Sequence, residues 1–247
     1  MRIAAVSDVH GNLRALEAVL ADLPAQAPDL VLNLGDTVSG PLEAAETAER
    51  LMEAGFPTVR GNHDRHLIHP PAEGMGKSDR MALAQLAPRH LDWLAALPPA
   101  IRPAPDILAV HGRPGDDMEF LLETPHRKHG LLRAAPEKVA ARLGDAAGLS
   151  LVLCGHSHIP GSAQLPDGPL VVNPGSVGLQ GYEDDDPFPY TVSAGSPHAR
   201  YALLDRVPGG WDVTWRAVPY DWNAAAEAAR RAGRPAWARP LATGFAD

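Results

Sequence analysis

The segment RIAAVSDVHGNLRALEAVLADL, residues 2–23, runs from a short apolar stretch through a polar turn into a stripe of leucines. Residues 2–6 read as a buried strand. Leu13, Leu16, Leu20 and Leu23 repeat at helical spacing, and Asn12 stands where it can cap that helix. Between the two elements sit Asp8 and His10. Two positions apart on extended backbone, they face the same way. A carboxylate and an imidazole at the end of a buried strand are costly unless something uses them.

The same grammar recurs along the chain. Apolar runs at 30–34, 57–60, 106–110, 149–154 and 170–172 read as strands. Helical patterns fall at 42–54, 79–87, 89–96, 136–143 and 223–232, so the fold class is α/β. Residues 200–205 and 211–218 flank Pro208-Gly209-Gly210 and read as an antiparallel hairpin. Segments 113–132 and 178–198 lack clean periodicity and are expected to be irregular surface loops. After the strands come Asp8 and His10, Asp36, Asn62-His63-Asp64, His111, and the pair His156 and His158. Ligands bind at the carboxyl ends of strands in open α/β sheets, so these side chains are expected on one edge.

Imidazole and carboxylate together suit Zn, Fe, Mn or similar ions. Asp8, His10, Asp36, Asn62, His111, His156 and His158 are too many donors for one ion with an open position. Two ions about 3.5–4 Å apart, bridged by a carboxylate, would use them all. Such a centre is a local positive hole that draws in a phosphate, and water acidified there can attack it.

Totals restrict the partners. Among 247 residues there are 22 Lys and Arg against 30 Asp and Glu, a net charge of −8. A broad nucleic-acid or anionic-membrane surface is not expected of that balance. Cys154 is the one cysteine, so no intrachain disulfide can form. No apolar run is long enough for a membrane span or a signal-peptide core, which makes a cytoplasmic location the expectation.

The ordered set DVHGN (8–12), GD (35–36), GNHD (61–64), VHG (110–112) and GHSH (155–158) resembles the calcineurin-like metallophosphoesterases. NPGSVG (173–178) is similar to the segment after the last ligand pair in small bacterial and archaeal members. The likeness covers residues 1–222, leaving 223–247 as a C-terminal helix and tail packed on or beside that domain. It implies a four-layer α/β/β/α sandwich with mixed sheets and a dinuclear centre. Manganese is the first choice of metal, with iron, zinc, nickel or cobalt as alternatives. It also implies hydrolysis of phosphate mono- or diesters by a metal-bound hydroxide. One ion would sit on Asp8, His10, Asp36 and His158. The second would sit on Asp36, Asn62, His111 and His156. His63 matches the catalytic histidine that protonates the leaving oxygen, and Asn62 and His63 would also touch the substrate.

The protein Ser/Thr phosphatase branch reads GDxVDRG where this chain reads GDTVSGP (35–41). Ser39 therefore replaces the aspartate that orients the histidine, and Gly40 a phosphate-binding arginine. Arg113 is the expected substitute clamp, and the orienter of His63 is left open. His66, His69, His90 and His198 lie outside the motifs and are expected at the surface. The expected partner is a small phosphate ester. A silent scaffold of the same fold and a metal-dependent nuclease are the competing readings; neither motif loss nor a basic surface supports them.

Overall fold

The structure, a computed structural model, describes residues 1–71, 74–146 and 148–246. From the N-terminus the order is β1 (Arg2–Val6), α1 (Leu13–Gln26), β2 (Leu30–Asn33), α2 (Ala44–Ala54) and α3 (Asn62–Ile68). Then come α4 (Lys77–Leu83), α5 (Pro88–Ala96), β3 (Ala100–Ala104), β4 (Ile107–Val110), β5 (Glu123–His126) and β6 (Gly130–Arg133). The chain continues through α6 (Pro136–Leu143), β7 (Leu151–Leu153), β8 (Gly161–Gln164), β9 (Leu170–Asn173), β10 (Gly181–Asp184) and β11 (Tyr190–Ser193). It ends with β12 (Ala199–Val207), β13 (Gly210–Val218), α7 (Trp222–Arg231) and α8 (Pro235–Thr243).

Two mixed sheets carry the fold, ordered β13-β12-β1-β2 and β3-β4-β7-β9-β8. Alternation of side chains along each strand decides what every residue meets. Ile3 and Ala5 share one buried cluster with Leu32, Leu204, Ile107, Leu151, Leu153 and Val172, residues of both sheets. Their neighbours Ala4 and Val6 turn the other way and pack with Leu16, Val19 and Leu23 of α1. On the second sheet Leu108, Val110, Val152 and Val171 pack with Val139 and Leu143 of α6. Being covered on both sides, these strands read as continuous apolar runs. β12 and β13 pair antiparallel, Arg206 opposite Trp211, as the Pro-Gly-Gly turn requires.

The structure corrects three sequence expectations, the strand at 57–60 and the two irregular loops, and adds two elements. Residues 57–60 form no strand, because only Thr58 bridges β2, at Asn33. β3 escapes a hydrophobicity reading because its residues are half-buried or exposed and it carries Pro103 beside a register shift against β4. Proline is tolerated at such an irregular edge. Both supposedly irregular loops hold antiparallel hairpins, β5–β6 and β10–β11. Helix α3 begins within the GNHD motif, where Gly61 is the N-cap and Asp64 accepts the Gly61 N–H at 3.0 Å.

Leu204 is wholly buried between the sheets, whereas Val207 at the end of the same strand is 41% exposed. Leu204→Ala is therefore expected to cost about 2–5 kcal/mol in urea unfolding. Val207→Ala should stay within about 0.5 kcal/mol, and equal losses would contradict this placement of the core.

Candidate metal centre

The strand ends converge. Asp8, His10 and His158 bring ligand atoms within 4.8 Å of one another, and so do Asp36, His111 and His156. Asp36 Oδ2 lies 3.2 Å from His111 Nε2 and 3.8 Å from His10 Nε2, so one carboxylate touches both groups. Asn62 Oδ1 joins the second at 3.0 Å from His111 Nε2.

Backbone conformation aims these side chains. Asp8, His10, Asp36, His156 and His158 all have φ between 50° and 69°, and only Ala27 and Asp167 share that sign among described non-glycine residues. Left-handed backbone costs such residues about 1–2 kcal/mol each, and its concentration here marks a functional turn rather than random strain. These left-handed residues follow β1, β2 and β7. Glycine makes room at the closest approaches: a Cβ on Gly61 would collide with the Asp36 carboxylate, and one on Gly155 with Ser7 Oγ.

The four candidate histidine ligands are oriented by carbonyls, which can only accept. His10 Nδ1 donates to Ser39 (3.0 Å), His111 Nδ1 to Leu34 (2.8 Å), His158 Nδ1 to Leu179 (2.6 Å) and His156 Nε2 to Met118 (2.9 Å). In His10, His156 and His158 the other nitrogen is thereby turned to the centre, the tautomer control typical of metal-ligating histidine, while His111 Nε2 faces Asn62 and Asp36. His10 Nε2 and His158 Nε2 face each other at 3.1 Å. With Nδ1 protonated on both rings, these are two lone pairs in contact, an arrangement a cation relieves.

Asp8 supplies the sharpest test of fit. It is wholly buried, and neither carboxylate oxygen closes a hydrogen bond of full geometry, although the Ser7 hydroxyl and the His156 N–H lie near enough to hold its pKa down in part. Burial pushes its pKa up to about 7. Asp36 behaves otherwise: burial would raise its pKa, but His111, His63 and His10 hold it well below the ordinary range. An under-satisfied carboxylate beside free imidazole nitrogens fits a divalent cation.

His63 lines the cavity beside this centre and receives its orienter from an unexpected element. His63 Nδ1 donates to Asp79 Oδ1 of α4 at 2.7 Å, and Ser39 Oγ donates to the same oxygen at 2.6 Å. Burial opposes the imidazolium, yet Asp36 and Asp79 outweigh it and raise the His63 pKa to about 9. Asp64 serves elsewhere, accepting from the Asp36, Thr37 and Gly61 N–H groups and from Thr37 Oγ1. Arg113 does not reach the cavity. Glu119 and Asp116 pair with its guanidinium, which removes it as the expected clamp. His66 also departs from expectation, since it lines the cavity 3.7 Å from Asp79, and His90 is buried against Glu49.

A calcineurin-like phosphoesterase superfamily domain matches residues 1–193. The chain belongs to that superfamily. A metallophosphoesterase from Sphaerobacter thermophilus is 28% identical and superposes with a TM-score of 0.73, over 99% of this chain and 100% of that one. The protein MJ0912 of Methanocaldococcus jannaschii is 27% identical over 197 residues, 71% of this chain and 76% of its own length. The mixed α/β architecture is thus that of a metallophosphoesterase. Against the phosphoesterase motifs, the orienter Asp79 was hidden in KSDR (77–80), where an acid in the first turn of a helix needs no further role. Ser39 was the one hint, being too short to orient His63 alone.

In the metal-free chain the His63 ring is expected to titrate near pH 9 by NMR, and Asp79→Asn should lower that value. The sign for stability follows from a pKa raised above the ordinary 6.5. The pair's contribution is fully present below about pH 6.5 and fades as pH rises through about 9. The urea-midpoint gap between wild type and Asp79→Asn should narrow over that window. A His63 titration unmoved by the substitution would contradict the pairing.

Proposed function

We propose that the chain is a dinuclear phosphoesterase, hydrolysing mono- or diesters of phosphoric acid on a small substrate. The observation that carries this reading is the pairing of His63 with Asp79 beside two ready ligand groups. Asp8, His10, Asp36 and His158 would hold one divalent ion, and Asp36, Asn62, His111 and His156 the other, manganese being the first choice. Bound there, the ions would supply positive charge to an anionic ester and make water a better nucleophile.

The chain's own residues do the rest. Asp79 fixes the ring of His63 and keeps a proton on Nδ1. Nε2 is then the nitrogen that can give a proton to the departing oxygen, a step worth about 10²–10⁴ in rate. Ser39 shares Asp79 and holds it in place. Phe120, stacked on His156 with centroids 4.6 Å apart, and Tyr182, edge-on to His158 at 4.8 Å, shield the centre and restrict water. Glu183, Asp184 and Asp186 line the same cavity. Their charge disfavours a long polyanion such as nucleic acid. Among the described residues no helix is long and apolar enough to cross a membrane. A cytoplasmic setting, and residues 223–247 as an appendage of the domain spanning 1–222, belong to the same proposal.

A panel of phosphate esters assayed with Mn²⁺, Ni²⁺, Co²⁺ and Zn²⁺ tests it. Hydrolysis of at least one aryl ester is expected, with His63→Ala slower by about 10²–10⁴ on a poor leaving group. A fully loaded chain inert to the whole panel would sink the proposal. Metal content gives a separate check: two ions per chain are expected in wild type. Asp36→Ala should bind fewer and lose most of the thermal stabilisation that metal confers.

A further inference from the structure

Only one lysine or arginine lines the cavity among the described residues, and it comes from the C-terminal segment: Arg234. Its backbone is fixed on both sides. The Arg234 N–H donates to the Ala229 carbonyl at 2.9 Å, and its own carbonyl accepts from Trp237 at 3.0 Å. Pro235 then starts α8, and a following proline keeps the preceding residue out of the helical region. The guanidinium carbon lies 6.0 Å from the Trp237 ring centroid. Trp237 is itself buried, edge-on to His10 at 6.0 Å between centroids. Gly40 admits it, since a Cβ there would stand 2.8 Å from the Trp237 ring. Two ring-scale steps therefore connect the metal centre to Arg234.

Among the described residues no carboxylate pairs with this guanidinium; burial lowers its pKa and no acid offsets the effect. Several other arginines of this chain are tied to acids, as Arg65 is to Asp117 and Arg133 to Glu123. Carboxylates are nevertheless present in the cavity. Glu183 and Asp184 belong to β10 and Asp186 to the turn after it, and Asp184 is engaged by Tyr190 Oη at 2.7 Å. A second anionic group on a bound ester is repelled along that hairpin. Arg234 is the one arginine or lysine among the described residues lining the cavity that can compensate it, away from the His63–Asp79 pair, and guanidinium matches carboxylate or phosphate bidentately.

We propose that Arg234 is a specificity-determining residue that grips a second anionic group, carboxylate or phosphate, on the alcohol part of the ester, while Trp237 packs against the spacer. The assignment rests on the phosphoesterase reading for the position of the first phosphate. It defines the substrate class as a phosphate ester with two anionic groups separated by a short, flat or apolar spacer. The acidic hairpin sets its orientation.

Three esters test this: phenyl phosphate, 4-carboxyphenyl phosphate and 1,4-phenylene bisphosphate. Each is assayed with Mn²⁺-loaded wild type, Arg234→Gln and Arg234→Lys. Wild type should prefer one or both anion-bearing esters, and which of the two distinguishes carboxylate from phosphate. In Arg234→Gln the kcat/KM ratio of the preferred ester to phenyl phosphate should fall about ten- to a hundredfold, the range of a charge-assisted hydrogen bond. Arg234→Lys should recover part of it. No wild-type preference, an unchanged ratio, or an equal loss on all three esters would overturn the assignment. Calorimetry with 4-carboxyphenylphosphonate against phenylphosphonate reads the same preference without turnover. Arg234-dependent binding in a chain that hydrolyses nothing would retire the phosphoesterase reading and keep the anion site. Hydrolysis with a ratio indifferent to Arg234 would do the reverse.

Discussion

A buried carboxylate without a full hydrogen bond of its own is the constraint around which this molecule is arranged. Asp8 sits at the end of β1 with neither oxygen in a hydrogen bond of full geometry, a state that costs several kcal/mol unless a charge is brought to it. The surrounding chain makes the position harder to hold, not easier. Asp8 and four other candidate ligands adopt left-handed backbone, and every candidate histidine ligand is locked to a carbonyl. Such strain persists only where neighbouring structure over-determines it. Here the source is the sheet-on-sheet core, whose strands end at the same edge and cannot shift without opening the cluster around Ile3, Leu32 and Leu153.

The two halves of the centre differ in how their polar groups are satisfied. His111 stays protonated, its pKa raised to about 10: burial opposes the charge, but Asp36 and Asp8 more than restore it. Its Nε2 proton stands between Asn62 Oδ1 and Asp36 Oδ2. A proton can satisfy one such triangle. It cannot serve Asp8 or the facing pair His10 and His158, whose pKa values burial lowers. A cation would therefore relieve more in the Asp8 half than in the Asp36 half.

Much of this was legible before any coordinates, for a physical reason. The strands are buried on both faces, so each appears as an uninterrupted apolar run, and the polar residue that ends it is conspicuous. Asp8, Asp36, His111, His156 and His158 announce themselves that way. What stayed hidden depends on contacts between segments with no shared pattern. Asp79 looks like an ordinary helix-start acid until α4 lies against His63. Arg113 looks available until Glu119 and Asp116 fold back on it. The hairpins at 123–133 and 181–193 look irregular in the sequence because their strands are four residues long and mix polar with apolar side chains. Periodicity needs a longer run to declare itself. Trp237 was hidden in an Ala- and Pro-rich tail whose partner, Gly40, lies almost two hundred residues earlier.

The late elements of the chain and the middle of it meet over the cavity as one construction. Lys77 Nζ at the start of α4 donates to the Gly233 carbonyl, the residue before Arg234. Two residues on, Asp79 holds His63, and Ser78 between them faces the cavity. On the other flank Leu42 and Leu179 pack with Trp237, Ala238 and Leu241 of α8. Leu179 is also the residue whose carbonyl fixes His158. The cavity wall and the groups that orient His63 and His158 therefore share supports. A change in the tail that moves Trp237 has a short physical route to the imidazoles, because the apolar contacts that seat α8 rest on the backbone that aims His158.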